Sequence, residues 1–389
     1  MRQRFNRSFD WDMKILAPVS PSDLFVGVLS GTSMDGIDAA LVRFDSQPEL
    51  LGTFTLPFPS DVKEGLKTLS LPGDNEIDSF GRLDVRVGQL FAQAVQGLLE
   101  KAKIAPDFVR AIGSHGQTIR HRPGMRPPFT LQIGDPNVIA AQTGIPVVAD
   151  FRRKDLALGG QGAPLVPAFH EAVFRNPGQD RVVVNIGGIA NLTSLPGNSE
   201  KHIRGFDTGP GNTLLDAWCH YTLGTPMDED GKFAARGLNR PPLLASFLGD
   251  PFFKAAPPKS TGLEYFSFSW IQKHLDGQNY DAADVQATLV RLTTESISTE
   301  IEKLPEIHQP TIFLCGGGAR NPVLVDSLRT RLPQCSIQLS DALGVLGAWV
   351  EAMAFAWLAA RYVDGLPGNC PPVTGASRPA VLGGLYMPD

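Results

Sequence analysis

Residues 31–38 read Gly-Thr-Ser-Met-Asp-Gly-Ile-Asp and lie between two apolar runs, FVGVLS (25–30) and AALVRF (39–44). Glycine lets a backbone approach a ligand closely, hydroxyls and free amides donate to phosphate oxygens, and carboxylates hold Mg²⁺ directly or through water. Gly31, Thr32, Ser33, Met34, Asp35, Gly36, Ile37 and Asp38 are therefore candidates for the phosphates of ATP. Asp35 is the metal-side carboxylate, and Asp38 serves the hairpin itself. Taken alone, the octet reads equally well as a polar hairpin turn. Two further glycine loops change that balance. NIGGIAN (185–191) repeats the run-loop-run design around Gly187 and Gly188, and GGGARN (316–321) sets Gly316, Gly317, Gly318 and Asn321 between an apolar strand and a helix start. Two hairpins can grip phosphates from opposite sides of a cleft while the third leaves room for an adenosine ring.

Other residues could act on an acceptor. Asp207, in RGFDTGPGN (204–212), precedes a Gly-Pro-Gly turn into an amphipathic helix. Phosphoryl transfer needs little beyond a carboxylate that orients or deprotonates the attacking hydroxyl or water; the alternative is an aspartate that caps the turn. Ser114, His115 and Gln117, in SHGQT after the short strand 109–113, stand where α/β sheets bind ligands and suit sugar hydroxyls, although a lone histidine is often structural. Arg152, first of the basic trio 152–154, suits a substrate carboxylate, against the plain reading of a solvated charge run. GGQGAPLVP (159–167) reads as a mobile loop or lid. No G-x-x-x-x-G-K-[ST] occurs, His170-Glu171 lacks a second zincin histidine, and no G-x-S-x-G elbow is present.

Several elements must position these residues. Three- and four-residue spacing of Phe80, Leu83, Val87, Leu90, Phe91, Ala94 and Leu98 predicts a helix over 79–103. Asp135 and Pro136 open a helix over 137–143, and the strand-helix alternation on into IPVVADF predicts a mostly parallel sheet covered by helices. The pattern restarts at 181. A helix over 284–304, the strand TIFLC, a helix from 322 and an almost wholly apolar helix around 351–360, buried between lobes, follow. The polar stretch 174–181 marks the boundary, and the segment 239–262, rich in Pro and Lys, reads as a surface insertion.

At 389 residues the chain exceeds one ordinary core, so two lobes are expected: 24–175, then 181–350, with 351–389 returning to the first. Residues 1–23 read as a disordered or mis-assigned extension, Met13 being another possible start. A net charge of −5 argues against a general nucleic-acid binder, and no run approaches the ~18 apolar residues of a membrane span. The scattered Cys219, Cys315, Cys335 and Cys370 fit a reducing cytoplasm.

The blocks GVLSGTSMDGIDAALV, GSHGQTIRH, DFRRKDLALGGQGAPLVPAFH, NIGGIANLT, GFDTGPGN, FLCGGGARN and MAFAWLA, in that order, resemble the anhydro-N-acetylmuramic acid kinases from about residue 25 to 386. The stretch 340–351 departs from the family by being more apolar and less regular. The resemblance implies an α/β fold of two duplicated actin/sugar-kinase-like lobes around a central ATP cleft. It assigns phosphates to the two hairpins, adenosine to GGGARN and the connector between lobes to the helix near 351. It also implies ATP and Mg²⁺, an amino-sugar substrate, a homodimer, and Asp207 as the base. In that reaction ATP phosphorylates the sugar's six-oxygen while water opens the anhydro bridge, for cell-wall recycling. Kinases for another sugar, or a non-catalytic nucleotide switch of the same fold, are the alternatives.

Overall fold

A computed structural model of the chain describes residues 24–31, 34, 36–45, 47–262, 265–275 and 277–389. The N-terminal extension, Thr32, Ser33 and the proposed metal ligand Asp35 lie outside the described residues.

The first glycine loop joins β1 (Leu24–Ser30) to β2 (Gly36–Phe44), antiparallel with Val26 opposite Leu41, and β3 (Pro48–Pro57) extends the meander. Then come α1 (Ser60–Leu69), α2 (Glu76–Ala102), β4 (Val109–Arg122), β5 (Phe129–Ile133), α3 (Pro136–Thr143), β6 (Val147–Ala149), α4 (Arg153–Ala157) and α5 (Val166–Phe174). The pattern restarts as expected with β7 (Arg181–Ile186), β8 (Ile189–Leu195) and β9 (Arg204–Pro210). After these follow α6 (Thr213–Leu223), α7 (Pro241–Leu248), α8 (Pro251–Lys254), α9 (Phe268–Leu275), α10 (Ala282–Glu302), β10 (Thr311–Cys315), α11 (Pro322–Arg331) and β11 (Ser336–Leu339). The chain ends with α12 (Val350–Val363), α13 (Pro371–Thr374) and β12 (Gly384–Tyr386).

Two sheets result. They share the orders β6-β4-β1-β2-β3 and β11-β10-β7-β8-β9, the same design used twice: an antiparallel meander continued, beyond its first strand, by two parallel strands in succession; the first sheet adds β12 beside β6 and β5 beside β4. The fold is therefore α/β with duplicated lobes. A mostly parallel sheet is not what forms, because the three meander strands are joined directly, and a direct connection can only return antiparallel.

Every residue of β1 is buried, since helices cover both faces. Leu24, Val26 and Val28 pack in one core with Val87, Phe91 and Val95 of α2, while Phe25 and Leu29 join a second core with α12. That second core also takes in Val183, Leu195 and Cys315, so α12 is wedged between the two sheets. It lies so close to the first that a Cβ at Gly27 would overlap the Ala352 carbonyl, and one at Gly113 that of Phe355. Only glycine permits this approach.

Three further expectations are corrected. Strand β4 does not stop before SHGQT but runs on to Arg122, because beyond Ser114 it exchanges its parallel partner β6 for antiparallel β5, with Gln117 opposite Ile133. The 159–167 loop is anchored. Asp155, fully buried, accepts at 2.8 Å from the Gly162 N–H, from Asn369 Nδ2 and from the Thr374 hydroxyl, and the Gln161 N–H donates to the Thr374 carbonyl. The 239–262 segment is more than a surface insertion, since it buries Leu243 and Phe247 and its last residues reach Asp207.

Candidate active site

In the second lobe the glycine turns are tied together. The backbone N–H groups of Gly211 and Thr213 donate to the Gly188 carbonyl at 2.8 and 3.1 Å, and that of Asn212 donates to Gly187 at 2.8 Å. Gly316 holds φ +81°, and a Cβ there would collide with Asn185 and the Ile186 carbonyl; one on Gly318 would strike Ile186. NIGGIAN, GPGN and GGGARN thus make one glycine-lined cradle, where a backbone without side chains can approach a phosphate or ribose closely. Asn321 is spent on capping α11, its Oδ1 accepting from the N–H groups of Val323 (3.1 Å) and Leu324 (3.3 Å).

Asp207 stands on β9 opposite Asn191, two residues before the GPG turn. Its backbone N–H donates to the Lys259 carbonyl (3.1 Å), and its Oδ2 accepts from the Thr261 N–H (2.9 Å). Burial pushes its carboxyl up to about 6, with the Thr261 N–H and the Lys259 cation opposing. A carboxylate so placed accepts a proton near neutral pH. It does not cap the turn.

In the first lobe, Ser114 and Gln117 are buried, and Ser114 Oγ, Gln117 Oε1 and His115 Nδ1 have no hydrogen-bond partner among the described residues. Such orphans at the ends of parallel strands mark a place for polar ligand atoms. A cavity of about 220 Å³ opens there, lined by Ser114, His115, Gln132, Asp150, Arg153 and Tyr386. Arg152 donates from Nε to His115 Nε2 (3.0 Å) and from Nη1 to the Gly162 carbonyl (2.8 Å). Arg153 instead pairs with Asp150 at 2.6 Å on the surface.

Glu351, in the first turn of α12, is exposed to solvent. Enclosure by protein raises its carboxyl, the Arg152 cation opposes this, and Asp38 adds to it. Glu351 in turn raises the buried Cys315 thiol at the end of β10, after burial itself, so it stands between the two lobes' loops. Asp38 accepts from the Thr55 hydroxyl across the strand pair at 2.6 Å. Met34 closes a tight turn onto the Gly31 carbonyl (3.1 Å), and Ile37 is packed in the core, so of the described residues of that hairpin Gly31, Gly36 and the backbone are what a ligand could meet. Among the described residues no cluster of three or more metal-ligating side chains occurs. Carboxylates such as Asp38 and Glu351 are of the kind that holds Mg²⁺ through its own water.

The model of the anhydro-N-acetylmuramic acid kinase family matches residues 23–388. The chain belongs to that family. The curated anhydro-N-acetylmuramic acid kinase of Shewanella oneidensis is 55% identical over 364 residues, 93% of this chain and 98% of its own. That of Coxiella burnetii is 50% identical over 366 residues, 94% and 98% of the two chains. Solved structures overlay it more loosely; the activator of the 2-hydroxyisocaproyl-CoA dehydratase from Clostridium difficile gives a TM-score of 0.46 at 13% identity over 88% of this chain and 96% of that one. An anhydro-N-acetylmuramic acid kinase is a phosphotransferase that uses ATP on a small sugar. Among the described residues no helix is long and apolar enough to cross a membrane.

Within this family member, sequence reasoning missed Glu351, Lys259 and Thr261. Glu351 opens an apolar helix whose composition speaks only of packing, and its one charge at the N-terminal end was the available signal. Lys259 sits in PPKST, a composition that reads as solvated, and nothing local announces that its side chain is 5% exposed.

Proposed function

We propose that this kinase converts 1,6-anhydro-N-acetylmuramic acid and ATP to N-acetylmuramic acid 6-phosphate and ADP in peptidoglycan recycling, with water opening the anhydro bridge. Asp207 carries the reading: an elevated carboxylate, gripped at one oxygen, on the strand that turns directly into the glycine cradle.

Asp207 takes a proton from the water that adds to the anomeric carbon. The bridge oxygen leaves that carbon, keeps its bond to carbon six, and attacks the γ-phosphorus as ADP departs. ATP, when bound, supplies the phosphoryl group, and Mg²⁺ offsets charge on its oxygens. The amides around Gly187, Gly188 and the 31–38 hairpin hold phosphates, Gly316–Gly318 face adenosine, and Asp35 is the metal-side acid with Glu351 nearby. Ser114, His115 and Gln117 contact sugar oxygens, and Arg152 binds the lactyl carboxylate. The lobes, 24–175 and 181–350 with 351–389 returning, close over both substrates. A homodimer in the cytoplasm completes the proposal.

Turnover in ¹⁸O-water, with products reduced before anomeric exchange, tests it. One ¹⁸O at the anomeric carbon is expected. Phosphorylated product without label points instead to a kinase for an ordinary sugar hydroxyl, and ATP binding without any product points to a nucleotide switch.

A further inference from the structure

The chain between α8 and α9 does something that the proposed reaction, as stated, does not use. Residues 255–262 leave α8, cross β9 and make two backbone bonds to Asp207, one on each side of Ser260: the Lys259 carbonyl accepts from the Asp207 N–H, and the Thr261 N–H donates to Oδ2. Two bonds to one residue from one strap hold both the backbone and the carboxylate plane of Asp207. Among the described residues Oδ1 has no hydrogen bond.

What anchors the strap is unusual. Lys259 is 5% exposed and Glu300 of α10 is 4% exposed, and they pair at 3.2 Å. Lysine and glutamate are seldom buried unless paired, because leaving water is expensive for each. The remaining donors of Lys259 are used too: its Nζ donates to the Phe252 carbonyl at 3.3 Å and lies 4.8 Å from the Phe252 ring centre. Glu300 also accepts from Lys303 at 3.0 Å. An apolar side chain would anchor a surface strap as well, without any desolvation to offset. What a lysine adds is a fixed positive charge beside the carboxylate.

We propose that Lys259 is a positioning residue for Asp207: pinned by Glu300, it fixes the strap whose Thr261 N–H occupies Oδ2, leaving Oδ1 as the proton-accepting oxygen, and it biases that carboxylate toward its ionised form. The assignment rests on the reading of Asp207 as the base. The other charged groups around β9 leave Lys259 as the close one. Arg204, on the same strand, pairs with Glu306, and on α10 Glu300 is answered by Lys303 as well as by Lys259. The opposing effect of the Lys259 cation on the raised Asp207 carboxyl agrees in sign.

The test titrates Asp207 itself. In full-length protein labelled with ¹³C-aspartate, the Asp207 carboxyl resonance is identified by its absence in Asp207→Asn. Lys259→Met is expected to move its midpoint up by about one pH unit, the lower end for loss of a neighbouring opposite charge, while Lys259→Arg leaves it in place. If Lys259→Met does not melt cooperatively, Lys259→Met/Glu300→Gln removes both charges without an orphaned buried acid, and a smaller upward shift is expected, because the anion paired with the cation goes too. An unmoved midpoint in a folded variant overturns the proposal. The acid limb of kcat/KM, measured alongside, separates the two claims: if the resonance shifts and the limb does not, Lys259 tunes Asp207 and Asp207 is not the base.

Discussion

Arg152 donates from Nε to Nε2 of His115 at 3.0 Å, which places the imidazole proton on Nδ1, a buried atom with no partner among the described residues. Burial, then the Arg152 charge, hold this histidine well below its ordinary value, so it stays neutral throughout the working range. Its ring lies on Phe355 of α12, centroids 4.5 Å apart, which fixes the plane in which Nδ1–H points. A neutral donor with a set direction suits a sugar oxygen; a switch would titrate.

The same arginine is held at two points, His115 and Gly162, and lysine cannot reproduce that fork. Arg152→Lys is expected to raise KM for the anhydro sugar by roughly 10- to 100-fold, the worth of a hydrogen bond to a charged group, with a smaller effect on kcat. Steady-state kinetics on the anhydro sugar without its lactyl group provide the control. Equal damage to both substrates would refute the carboxylate role.

Asp207 must be ionised to accept a proton. With its carboxyl near 6, kcat/KM is expected to be flat above about pH 7 and to fall tenfold per unit below about pH 5.5. Asp207→Asn is expected to lower kcat by ~10²–10⁴ or more while ATP binding, read by calorimetry, survives. Unchanged turnover ends the assignment.

A stability consequence has the opposite sign. The folded carboxyl lies above its ordinary value of 3.8, so the charged form is destabilising wherever the unfolded chain is ionised. That penalty is full above the folded midpoint and vanishes as pH falls toward the unfolded one. Asp207→Asn should therefore melt a few °C higher than wild type at pH 8, with the gap closing near pH 4. Scanning calorimetry at the two pH values decides it.

How much of this was legible beforehand follows from range. The 79–103 helix, the cap at Asp135 and the restart at 181 are written in spacing and local chemistry, and each formed within a few residues of where it was read. The continuation of β4 through SHGQT was not, because it depends on β5 arriving alongside, and β5 carries no mark of its partner. Asp155 shows the same limit. It follows a basic trio that says nothing of burial, and the groups that hold it, Asn369 and Thr374, lie more than 200 residues away. Asp207 was found because its turn is local. Lys259, 52 positions on, was not.

Close approach of α12 to the first sheet gives a steric prediction. At Gly27 and Gly113 the obstructing atoms are helix backbone, which cannot rotate aside. Gly27→Ala is expected to destabilise by about 3 kcal/mol or more, whereas alanine at Gly124, with open space around it, should be nearly neutral. Urea denaturation measures the difference.

The first sheet is completed last. Strands β1 to β6 are synthesised early, yet α12, which covers one face, and β12, which adds to its edge, emerge only after the whole second sheet has been made. A nascent chain stalled at residue 340 would carry the main strands of both sheets, with the face of each that α12 covers still open. Vectorial synthesis therefore offers this protein no N-to-C order of maturation: both cores that meet α12 wait for the same late segment.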